Sequence, residues 1–231
     1  MIDVHTTVRL HLLTWKPAVA WPWGILAASF VINLLVQLTL SPAARAQTWT
    51  GGLASIYAVV AVWATALVSQ VFPFALGLGI TRRDYALGTA LTLLTLAVVF
   101  ALALTGLRAV EDATDGFGVG MAFFAPAGLA QDGLILQTLV YATGFVLVGS
   151  VMSALAVVHH RWRVTGLFTL IIALILAGGA AGVLVTWRHA WGPVLDAVTG
   201  LPTVVAVVVL PLSVAVLAAG AGFAGLRRAT V

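Results

Sequence analysis

The chemistry open to this chain is narrow. It carries five histidines, seven acids, a single lysine and no cysteine. Without cysteine there can be no disulfides, thiolate metal sites, iron-sulfur clusters or cysteine nucleophiles. His5, His11, His159, His160 and His189 all fall at or beyond the ends of long apolar runs, which excludes a buried serine-histidine dyad and haem or zinc ligation in the interior of a helix bundle. Lys16 is followed by Pro17, so no Walker A lysine exists and any ATP must be hydrolysed by another chain. Gly116, Gly118 and Gly120 superficially resemble a nucleotide fingerprint. They lack a preceding strand and a following helix, and read as a flexible loop. No catalytic residue and no metal site is expected. The one concentrated polar stretch is Thr81-Arg82-Arg83-Asp84-Tyr85, with more than twenty uncharged residues on either side.

The elements that must position this stretch follow from composition. Of 231 residues, 62% are hydrophobic and 8% charged, whereas a soluble domain carries about a quarter charged residues. This is the composition of an integral membrane protein. The formal charge of +4 comes from basic residues placed singly or in pairs at the ends of apolar runs, a topological pattern that gives no nucleic-acid footprint. The expected fold is an all-α membrane bundle of six transmembrane helices, over about 21–40, 53–76, 86–107, 133–158, 164–187 and 202–226. Each run has at least 20 residues, enough at about 1.5 Å per residue to cross about 30 Å of hydrocarbon. Val4, Val8, Leu12 and Trp15 form an apolar stripe flanked by His5, Arg9 and Lys16, which predicts an amphipathic interfacial helix over 3–16. Pro17 marks a bend after it. No signal peptide is read at the N-terminus.

Arg9, Lys16, Arg82, Arg83, Arg161, Arg163, Arg227 and Arg228 supply eight of the eleven basic residues and would share one side. Arg45, Arg108 and Arg188 fall on the other, with Glu111, Asp112, Asp115, Asp132 and Asp196. Basic residues favour the cytoplasmic side, so both termini and the Thr81–Tyr85 loop are expected there. The opposite loops 108–132 and 188–201 are partly apolar and either dip into the membrane or lie on it.

Within the spans the polar residues are neutral. Coupled transporters usually keep ionisable groups at membrane depth, at about 2.5–3.5 kcal/mol each, so proton coupling has little support. Asn33, Gln37, Ser69, Gln70, Gln137 and Tyr141 could line a substrate path, with Thr65, Ser150 and Ser153 nearby in sequence. The ordinary alternative is interhelical hydrogen bonding, worth ~0.6 kcal/mol each. Gly178 and Gly182 with Ala177 and Ala181, and Ala218 with Gly222 and Gly225, read as packing faces within the bundle. Pro73 should kink the second span and Pro211 the sixth.

A surface helix leads into six spans. The second ends Phe72-Pro73-Phe74-Ala75-Leu76-Gly77-Leu78-Gly79; Ile80-Thr81-Arg82-Arg83-Asp84-Tyr85 follows, and the next helix opens Ala86-Leu87-Gly88. This layout resembles the permease subunit of ABC transporters of the ABC type 2 class, in the small actinobacterial form. His160-Arg161-Trp162-Arg163-Val164-Thr165-Gly166 is similar to a connection in such permeases. The resemblance covers essentially the whole chain. It implies a transport subunit, not an enzyme, in the bacterial plasma membrane, paired with a second permease copy or homologue. It also implies a separate ABC ATPase subunit that carries ATP and magnesium, usually for export. The ATPase would dock on Thr81, Arg82, Arg83, Asp84 and Tyr85. The chain has no sizeable soluble outer domain, unlike larger members. A self-contained facilitator or secondary transporter, and a non-transporting scaffold or sensor, are the alternatives that the residues alone leave open.

Overall fold

The computed structural model describes residues 15–41, 44, 50–126 and 128–228. All regular structure among them is helical. Five helices are long and apolar enough to cross a membrane, as the composition requires. The elements are α1 (Trp15–Thr39), α2 (Ala54–Gly77), α3 (Arg82–Ala113), α4 (Leu134–Trp187), the short α5 (Trp191–Thr199) and α6 (Leu210–Arg228). Apart from its last two positions, the interfacial helix expected over 3–16 lies outside the described residues. Pro17 lies within α1, whose description begins at Trp15, so the bend expected after the interfacial helix falls at the edge of the described residues.

The expected fourth and fifth spans are one helical element of 54 residues. At about 1.5 Å per residue a straight rod of that length would reach about 81 Å, well over twice the thickness of a hydrocarbon layer. Arg163 breaks it: with φ 56° and ψ −151° it alone inside α4 leaves helical geometry. That region is close to one essentially reserved for glycine, so two helical halves meet at a single strained residue.

The first half of α4 is the hub, packing against α2, α3 and α6. Small residues set each approach. A Cβ on Gly144 would lie 3.0 Å from the Tyr57 ring, and one on Gly149 would lie 2.5 Å from Leu93. Gly225 of α6 faces Val157 in the same way, 2.6 Å from a would-be Cβ. In an apolar solvent such close contact replaces the hydrophobic driving force between helices. The packing face expected on α6 is therefore realised. The one expected around Gly178 and Gly182 is not, since neither has a neighbour within 4 Å of a would-be Cβ and no residue of 164–187 is buried.

Pro73 and Pro211 act alike. A five-residue π-turn, Leu67–Val71, precedes the first by two positions, and Val205–Val209 precedes the second by the same interval. Proline offers no N–H to the carbonyl four residues back, and its ring crowds it. One wide turn accommodates both effects.

Two buried clusters divide the bundle. One, near the Arg82 end, joins Val68, Phe72, Ala75, Ile80, Tyr85, Ala156, Val157 and Leu226. The other, toward the Glu111 end, includes Leu26, Ile56, Phe100, Leu104, Phe123, Phe124, Tyr141 and Phe145. The strain at Arg163 predicts that Arg163→Gly stabilises the purified protein by about 1–3 kcal/mol, read as a higher melting temperature in detergent. No gain would show that the break carries no strain.

Candidate functional site

The Arg82 end is built by two helix caps placed back to back. At the end of α2 the Gly79 amide bonds the Leu76 carbonyl at 2.9 Å and the Ile80 amide bonds the Ala75 carbonyl at 3.1 Å. This is a Schellman closure, and it needs a left-handed residue, which Gly79 supplies at φ 82°. Thr81 then caps α3. Its hydroxyl oxygen accepts the Asp84 amide at 3.2 Å and donates to the Asp84 carboxylate at 2.7 Å, a variant of the capping box. Ile80 and Tyr85 flank this cap, and both are buried in the same cluster, as a hydrophobic staple requires. Both helix ends are thus satisfied within four connecting residues, leaving a stiff joint.

The predicted coupling residues divide accordingly. Thr81 and Asp84 are engaged with each other. Arg82 donates from Nη1 to the Leu226 carbonyl at 3.4 Å, tying the joint to the last described turn of α6. Arg83 is exposed. Tyr85, expected to offer its ring outward, is 1% exposed. Its ring sits 5.2 Å from that of Phe72, and its hydroxyl donates to the Leu67 carbonyl at 2.6 Å, within the π-turn that Pro73 imposes. The reason is its place: as the fourth residue of α3 it turns back under the cap.

The predicted path residues are not assembled in one place. On α1, the Asn33 side-chain amide donates to the Ser29 carbonyl at 2.8 Å and Gln37 is buried. Ser69 and Gln70 are exposed on the π-turn of α2, the Ser69 hydroxyl donating to the Thr65 carbonyl at 3.0 Å. Ser150 and Ser153 instead line, with Thr89, a groove of about 420 Å³ between α3, α4 and α6.

Gln137 and Tyr141 belong to a polar network at the opposite end. There α3 runs to Ala113, past the limit of 107 set by the uncharged stretch, so Arg108, Glu111 and Asp112 are helical. Arg108 pairs with Asp112 at 3.4 Å, donates to the Gln131 carbonyl at 2.9 Å and bonds the Gln137 side-chain oxygen. Glu111 is 3% exposed. One of its oxygens accepts the backbone amides of Phe123 and Phe124 at 2.8 and 2.9 Å. Tyr141 donates to the Phe124 carbonyl, and Thr50 to that of Ala122 at 2.7 Å. The segment after α3 is thereby strapped to the bundle, with Phe30 packed on Phe117, Phe123 and Phe124.

The three glycines of that segment have geometric work. Gly116, Gly118 and Gly120 all have positive φ, and a Cβ on Gly116 would lie 2.3 Å from the Met121 amide nitrogen. A loop read as flexible is a fixed left-handed turn. Among the described residues no group of three or more histidines and acids is placed to hold a metal ion, and Glu111 is engaged with the backbone amides of Phe123 and Phe124. Comparison of the chain with family models, with curated proteins and with solved structures gives no match.

Reasoning from sequence missed the two caps and the Glu111 strap. Thr81-x-x-Asp84 and Gly79 were legible signals. The strap had none, because it pairs a side chain with amides twelve and thirteen positions away. Glu111→Ala leaves two buried amides unpaired and should lose about 1–3 kcal/mol for each. Glu111→Gln, which keeps an acceptor, should lose less. Melting in detergent, with hydrogen exchange at Phe123 and Phe124, reads both; equal stability of the two variants would remove the strap from the account.

Proposed function

We propose that this chain is the membrane-spanning permease subunit of an ATP-driven ABC exporter, taking its energy from a separate ATPase subunit through the joint between α2 and α3. The observation that carries the reading is the connectivity of that joint. It is closed by caps on both sides and linked through Tyr85 to the wide turn of α2 and through Arg82 to the end of α6, and it leaves Arg83 exposed. A push on such a joint moves three helices together, which is what a handle must do.

The remaining features fit this assignment. With α4 turning at Arg163 the chain makes six passes, and the basic residues Arg82, Arg83, Arg161 and Arg163 lie on the cytoplasmic side with both termini. The apolar groove beside Ser150 and Ser153 supplies one wall of the substrate path, and a second permease copy supplies the other. ATP binding and hydrolysis on the partner rock the pair between inward-facing and outward-facing arrangements. The neutral character of the polar side chains in the middle of the spans gives proton coupling little support and favours an outside source of energy.

The test looks for a P-loop ATPase encoded beside this reading frame and co-expresses it with this chain. Arg83→Glu should weaken co-purification tenfold or more, the equivalent of about 1.4 kcal/mol, and the Arg82→Glu/Arg83→Glu pair should abolish it. Tyr85→Phe removes only the hydroxyl bond, so it should leave the complex intact and lower substrate-stimulated ATP hydrolysis. Unchanged pull-down by the double variant, or uphill transport by this chain reconstituted alone, would overturn the assignment.

A further inference from the structure

Because α6 meets α4 through residues with little side chain, its flank is recessed. A would-be Cβ on Gly222 lies 3.5 Å from the Ala154 Cα, and Ala218, Ala221 and Ala224 continue the shallow wall. Where this wall faces the second half of α4 it leaves an apolar groove of about 510 Å³, closed on the far side by Leu170 and Leu174. Sites for small molecules typically enclose about 300–1,000 Å³. One lining residue is charged, Arg161. Its guanidinium carbon lies 4.6 Å over the centre of the Trp162 ring, which also lines the groove.

The dimensions narrow the choice of occupant. The lining of the first half of α4 runs from Val151 to Arg161, a rise of about 15 Å at about 1.5 Å per residue. That is about half of a hydrocarbon layer of about 30 Å. The groove therefore starts at a cation and ends near the mid-plane, the depth of one leaflet.

Charge narrows it further. Arg82, Arg83 and Arg163 share this end, and Arg227 and Arg228 are the last described residues of α6. Asp84 is the acid on the joint, and its carboxylate is taken by Thr81. Among the described residues, a second copy in like orientation would bring only Asp84 to this end, since Glu111 and Asp112 sit at the far end of α3. A neutral apolar molecule would match the walls of the groove and leave the guanidinium paired with the Trp162 ring alone.

We propose that this groove holds one acyl chain of an anionic phospholipid from the leaflet on the Arg161 side, with the lipid phosphate on the Arg161 guanidinium. The planar fork of arginine suits phosphate oxygens, and basic recesses between membrane helices favour acidic headgroups. The site is independent of the coupling role proposed above.

Native mass spectrometry of the full chain, released from nanodiscs of phosphatidylcholine and phosphatidylglycerol in equal parts without any ATPase, tests the assignment. The wild type should retain one phosphatidylglycerol in preference to phosphatidylcholine. Arg161→Ala should lower that preference about fivefold, the contribution of a single basic residue near a membrane surface. Ala221→Phe, which fills the groove and leaves Arg161 in place, should remove the retained lipid. Arg83→Ala, at the same end but off the groove, should change neither. Only folded, monodisperse fractions are compared. Equal retention of the two lipids by the wild type would overturn the proposal. So would undiminished phosphatidylglycerol in both groove variants, a loss with Arg83→Ala as large as with Arg161→Ala, or a dimer carrying no lipid.

Discussion

A backbone amide or carbonyl removed from water must find a partner inside the protein, and in a bilayer no solvent makes up a shortfall. This constraint shapes each unusual feature of the chain. At Pro73 and Pro211 the helix answers it with a wide turn, and at the first of these Tyr85 adds a bond to the Leu67 carbonyl. The connection between α2 and α3 answers it with interlocking caps that leave little slack. The segment after α3 cannot form a helix through its left-handed glycines, and takes its partners from Glu111, Tyr141 and Thr50 instead. Rigidity at both ends of the bundle is thus a by-product of satisfying main-chain polarity in an apolar medium.

Much of the architecture was legible, because membrane spans are written in long uncharged runs. The helices cover the runs expected, and wide turns precede Pro73 and Pro211, where proline chemistry disturbs the helix. Helix ends were less legible. Charged residues were read as the limit of α3 at 107, yet Arg108, Glu111 and Asp112 prolong it to Ala113 because each has a partner there or nearby. The break between the halves of α4 carries no glycine, proline or extra loop residue, so two expected spans appear as one interrupted element.

The site was legible in outline and misread in detail. Arg82, Arg83 and Asp84 were recognisable as a surface cluster, but their polarity was assigned to membrane topology and an outside partner. Two thirds of it is internal: Asp84 serves Thr81, and Arg82 reaches α6. Tyr85 illustrates the limit most clearly. An amphipathic ring beside charges suggests an exposed anchor, and only the three-dimensional position of the Leu67 carbonyl shows that the ring turns inward. The path residues fail for a similar reason. Helical spacing places Asn33 and Gln37 on one face of α1, but it cannot say which other helix that face meets.

The single-residue break at Arg163 has one more consequence. Since no residue of 164–187 is buried, that half of α4 is fastened to the protein chiefly at its two ends and along the flank of α6. In a bilayer, lipid packed on that exposed face would then weigh more on its tilt than it does on the tilt of the buried helices. A thicker or thinner bilayer would be absorbed by this outer strut as a change of angle, at a modest cost per ångström of mismatch, while the hub formed by the first half keeps its packing.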